Sequence, residues 1–135
     1  MAGMSDVLVP ISPGELLDKI TILRIKAARM TDASKLAHVR LELGLLESVW
    51  RDSGCAKFDV SQEEGALRAV NERLWSIEDR IRDKEAEQQF DAGFIDLARS
   101  VYLLNDERAA IKKRVNVQLG SRIVEEKSYR PYGAS

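Results

Sequence analysis

Apolar residues recur along this chain at alternating three- and four-residue steps, the spacing that lines one face of an α-helix. Leu16, Ile20, Leu23, Ala27 and Met30 make a first stripe, widened by Leu17, Ile22 and Ile25. Leu36, Val39, Leu43, Leu46 and Trp50 make a second, with Leu45 and Val49 on its flank. Leu67, Val70, Leu74, Ile77 and Ile81 form the third, and Phe94, Leu97, Val101, Leu104, Ile111 and Val115 the fourth. Chemical signals mark the ends. Ser12, Pro13 and Glu15 read as a cap, a first-position proline and a capping-box glutamate, and Ser61 with Glu64 repeats that box. Asp32 reads as the cap of the second helix, and Gly54 and Gly120 as stops for the second and fourth. The pattern predicts an all-α four-helix bundle of two antiparallel helical hairpins, the second hairpin long. The fourth helix is expected to run from Asp91 to Leu119 after a turn near residues 90–93. The whole chain, residues 1–135, reads as a single helical domain. Residues 1–11 form a lead-in whose Val7, Leu8, Val9 and Ile11 are expected to dock on the body. Phe58 and Val60 are expected to anchor the segment 54–60, and part of the tail 121–135 to pack back on the helices.

Composition narrows the function classes. The chain has 135 residues with 21 Lys+Arg against 22 Asp+Glu, a net charge of −1. That balance gives no chain-wide attraction to nucleic acid or to an anionic membrane, and neither is expected as a partner. No apolar run reaches the roughly 18–20 residues of a membrane span, and the start lacks a signal-peptide pattern, so a cytoplasmic protein is expected. Cys55 is the one cysteine and His38 the one histidine. They exclude an intrachain disulfide framework and a multi-histidine metal site, so no metal and no cofactor is expected. No nucleophile–base set or phosphate loop stands out, and the catalytic residues, if any, stay unknown.

Arg108 is the anomaly. It falls in step with Val101, Leu104, Ile111 and Val115, on the inward stripe of the fourth helix. An inward arginine needs a partner, because an unpaired buried ion is costly. A second hairpin folded at 90–93 sets Trp75 opposite Arg108, Asp79 opposite Tyr102, and Asn71 opposite Ile111 and Lys112. Asp79 and Glu78 are then the expected partners, as a structural ion pair. The functional alternative is an anion-binding guanidinium helped by Lys112. The candidate ligand-binding residues are Arg108, Lys112, Asn105, Tyr102 and Asp79, with Trp75 as a wall. The basic end formed by Lys112, Lys113, Arg114, Arg122, Lys127 and Arg130 reads as a solvated face or as a match for the acidic stretch 59–91 of a second subunit, and the apolar stripes, two tryptophans and long fourth helix lead to the expectation of a homodimer through the second hairpin.

Four segments carry a resemblance. They are Ile11-Ser12-Pro13-Gly14-Glu15-Leu16-Leu17-Asp18-Lys19-Ile20-Thr21-Ile22-Leu23, Val70 to Asp79 around Asn71 and Trp75, Phe94 to Asp106, and Ser121 to Tyr129. Together they resemble a family of short, uncharacterised bacterial all-helical proteins, a domain of unknown function. The resemblance implies an all-helical fold and hands over no catalytic residue. A looser likeness is to the helical chorismate mutases, in which arginines and lysines from long helices hold a dicarboxylate. It implies Arg24, Lys26, Arg29, Arg108 and Lys112 as cations, with Glu78 or Asn105 as a polar partner. Two functions follow as expectations. One is a non-enzymatic binding or interaction module acting as a homo-oligomer, with a protein partner or a small anionic ligand. The other is a small helical enzyme or anion-ligand binder that works by Arg/Lys charge placement.

Overall fold

Capping side chains open three of the four helices in the computed structural model, which describes residues 3–132. The Ser12 hydroxyl accepts from the Glu15 amide at 3.2 Å, and Pro13 begins α1 (Pro13–Arg29). Asp32 accepts from the Lys35 amide at 2.9 Å and opens α2 (Ala33–Asp52). Asp91 accepts from the Phe94 amide at 3.0 Å and opens α4 (Ala92–Gln118). The third helix, α3 (Ser61–Ala86), begins differently. Ser61 is its first residue rather than its cap, and both its amide and its hydroxyl donate to Asp59. The expected Ser61–Glu64 box does not form, and Glu64 instead receives the Arg24 guanidinium.

Left-handed residues follow three of the four helices. Gly54 (φ 90°) follows α2 and leads into a 3-10 turn at Cys55–Lys57. At the end of α4 the Ser121 amide donates to the Asn116 carbonyl at 2.9 Å and Gly120 (φ 68°) donates to Val117 at 3.2 Å, the Schellman pattern that satisfies terminal carbonyls. Between α3 and α4, Gln88 takes φ 56° and tightens the turn. The turn therefore starts at residue 87, earlier than the expected 90–93.

The described residues form four α-helices and no strand, an all-α bundle. α3 packs on α4, and α1 packs on α2, α3 and α4. That central place explains why α1 is buried on several sides, through Leu16, Leu17, Ile20, Leu23 and Ile25. The core joins Leu17 of α1, Leu67, Val70 and Leu74 of α3, and Leu104, Ile111 and Val115 of α4. Val60 enters the same core, whereas Phe58, which was expected to anchor with it, is exposed. α2 is peripheral: Val39 is its one buried residue, and Leu41, Leu45 and Val49 face outward.

The lead-in does not dock. Val7, Leu8, Val9 and Ile11 are exposed. Ser12, before Pro13, is extended, and a proline disfavours helix in the residue that precedes it, so the helix begins only at Pro13. α1 and α4 approach closely at Gly14. Its amide donates to the Asn116 side-chain oxygen at 2.7 Å, and a Cβ added there would collide with the Lys112 carbonyl.

Candidate functional site

A buried polar cluster sits where α1, α3 and α4 meet. It starts at Asp18, whose side chain is only 5% exposed. One turn on, the Thr21 hydroxyl donates to the Asp18 carbonyl at 2.7 Å. From α3, the Asn71 amide nitrogen donates to the Asp18 carboxylate at 2.9 Å and to the Thr21 hydroxyl at 3.2 Å. From α4, Arg108 donates to the Asn71 side-chain oxygen at 3.4 Å, and its Nε lies 4.0 Å from the Asp18 carboxylate. These groups satisfy one another, as buried polar atoms must. Arg108 is thus seated on a polar bed with its side chain still 30% exposed.

One turn further along α4 stands Lys112, 13% exposed. It donates to Glu15 at 2.6 Å and to Glu125 of the tail at 3.4 Å. Glu125 also pairs with Lys127 at 2.6 Å. The hydrogen bond from Lys127 and the nearby Lys112 charge hold the Glu125 carboxyl below its ordinary pKa. The same bond holds the Lys127 ammonium above its own. Burial pushes the Glu15 carboxyl up, but the Lys112 hydrogen bond and charge outweigh it and leave the pKa lowered.

Three cavities adjoin this cluster. Asn105, Asp106, Arg108, Lys112, Lys127 and Tyr129 line one of about 220 Å³ between α4 and the tail. Beside it, Val101, Tyr102, Asn105, Asp106, Tyr129 and Tyr132 line one of about 440 Å³. On the other side of Arg108, a cavity of about 180 Å³ is lined by Lys26, Asn71, Trp75 and Glu78. Arg108, Lys112 and Asn105 therefore share a cavity, Tyr102 and Asn105 share the next, and Trp75 meets Arg108 across the third.

Asp79 is the exception among the expected site residues. It is exposed and lines none of these cavities. Neither Asp79 nor Glu78 pairs with Arg108, because α3 ends at Ala86 and the antiparallel register shifts by about one helical turn. Asn71, expected opposite Ile111 and Lys112, meets Arg108 instead. Arg24 is also not at this site, since Glu47 and Glu64 hold it on another side of α1. Asp18, Lys127 and Tyr129 were not anticipated. Asp18 and Thr21 had one signal, two polar residues three apart inside a heavily apolar helix. Among the described residues no group of three or more His, Cys, Asp or Glu side chains is arranged to hold a metal ion. No described helix is long and apolar enough to cross a membrane.

Fold and site define an all-helical protein with a polar cluster linking three helices and, beside it, a cleft lined by Arg108, Lys112, Lys127 and Asp106. A family model matches residues 7–134, and the chain belongs to that family, DUF6165, a family of unknown function. No curated protein and no solved structure gives a significant match.

Proposed function

We propose that this protein is a non-enzymatic binding module that takes a small anion between α4 and its C-terminal tail. One observation carries the reading. Arg108 is fixed from beneath by Asn71 and Asp18 while its free side opens on the cavity it shares with Lys112 and Lys127. A guanidinium held in place loses little freedom on binding, and its planar fork suits carboxylate and phosphate oxygens. Glu125 supports the same chemistry from within the chain, for its carboxylate bridges Lys112 and Lys127. A ligand carboxylate or phosphate takes over those ammonium groups, and Glu125 swings to solvent.

The test is thermal unfolding of the full chain with inorganic phosphate and with small carboxylates. A ligand that binds the folded state alone raises the melting temperature. The rise is expected in the wild type and lost in Lys127→Gln, whose side chain is 44% exposed and outside the core. Arg108→Ala is run in parallel, with its own stability loss measured first. No rise at millimolar anion contradicts the reading.

The module acts as a homodimer through its second hairpin. Ile95 and Leu103 of α4 are exposed apolar residues on that hairpin. Sedimentation equilibrium is expected to give twice the chain mass, and the chain mass alone contradicts it.

A further inference from the structure

We infer that the anion bound at this site carries an aromatic ring, joined to its acidic group by a short spacer. The inference rests on the anion reading above and extends it to the neighbouring cavity. That cavity is the larger of the two, about 440 Å³ against about 220 Å³, and the two share Asn105, Asp106 and Tyr129 as a common wall. Three tyrosines surround it. Tyr102 lies on the face of α4 that carries Asn105, Asp106 and Ala109, and the tail brings Tyr129 and Tyr132 over that face. The Tyr102 and Tyr132 rings meet edge to face at 4.9 Å between centroids. All three rings are left substantially exposed. A planar ring entering between them gains edge-to-face and stacked partners and completes their burial.

Charge fixes which way such a ligand lies. Asp106 stands at the shared wall and faces the Tyr132 hydroxyl, whose pKa it holds above the ordinary value. Asp106 borders both cavities, so the cations decide the direction: Arg108, Lys112 and Lys127 line the smaller cavity and no cation lines the larger one. The acidic group therefore goes to Arg108, Lys112 and Lys127, and the ring to the tyrosines. Tyr102 and Arg108 are six residues apart on α4, a rise of about 9 Å, and Asn105 lies between them. A spacer of a few atoms spans that interval. Tyr129 serves both ends: its ring lies under the Lys127 ammonium at 5.9 Å and its edge lines the aromatic cavity.

The experiment compares 3-phenylpropanoate, propanoate and 3-phenylpropanol by NMR titration of the full chain. The aromatic acid is expected to bind at least about tenfold more tightly than propanoate. Tyr102→Ala combined with Tyr132→Ala, two exposed residues that line the larger cavity and not the smaller one, is expected to remove that gain and leave propanoate binding unchanged. Equal binding of the two acids, both weakened by Lys127→Gln, overturns the aromatic inference and leaves the anion site standing. Equal binding of 3-phenylpropanoate and 3-phenylpropanol overturns it by removing the anion's role. Binding of none of the three overturns both readings.

Discussion

The Asn71 amide on α3 donates to the Asp18 carboxylate on α1 at 2.9 Å, and Asn71's own oxygen receives Arg108 from α4. One amide thus mediates between a buried acid and a half-buried base on two other helices. Asn71→Leu keeps the volume but removes both roles. An unpaired buried charge costs more than the hydrogen bond itself is worth. A loss of about 2–3 kcal/mol is expected, read as a lower urea midpoint with unchanged slope. Asp18→Asn in the same background is expected to restore part of the loss, because a neutral amide is cheaper to bury than a carboxylate.

Gly14→Ala tests how closely α1 and α4 approach. Its added methyl meets the Lys112 carbonyl and comes within 2.9 Å of the Asn116 side-chain oxygen. A helical glycine replaced by alanine would otherwise stabilise by roughly 0.5–1 kcal/mol. Here the clash with backbone is expected to reverse the sign and cost about 2 kcal/mol, seen in thermal or urea unfolding.

Arg24 joins three helices by reaching Glu47 on α2 and Glu64 on α3. All three side chains are more than a third exposed or close to it, so water and salt screen the pairs. Arg24→Met is expected to cost about 1 kcal/mol or less, and the difference from wild type is expected to shrink in molar salt. A loss that does not change with salt contradicts an electrostatic role.

The acid limb of stability should report on Glu15. Its carboxyl pKa lies below the ordinary 4.5 in the folded protein, since Lys112 outweighs the effect of burial. A depressed folded pKa contributes stability above the unfolded value and loses it as pH falls through the folded one. Denaturant midpoints are therefore expected to drop below about pH 4.5. Lys112→Met is expected to flatten that limb, and an identical limb in both proteins contradicts the pairing.

The helical stripes were legible because each one reports a local periodicity. Leu67, Val70 and Leu74, and Leu104, Ile111 and Val115, are buried as their spacing implied. What periodicity leaves open is the slide of one helix along another. A shift of one turn keeps the same faces together, so the stripes still match while every cross-helix neighbour changes. Gln88 in a left-handed conformation set that slide, and nothing in a Glu-Gln-Gln run announces it. Arg108 stood out as an inward charge, yet its partner Asp18 lies in the other hairpin, where no antiparallel register could reach it. The lead-in shows the converse: Val7, Leu8 and Val9 are apolar, but apolarity names no surface to cover them, and they stay exposed. The tail's Lys127 and Tyr129 carry no periodic signal and acquire meaning only where the chain folds back on α4.

The most direct measurement is an amide NMR titration of the full chain with inorganic phosphate. Saturable shifts confined to residues 105–112 and 125–132 are the expected result, with Lys127→Gln weakening them severalfold. No saturable shift, or small shifts scattered over distant cations such as Lys35 and Lys57, would contradict an anion site between α4 and the tail.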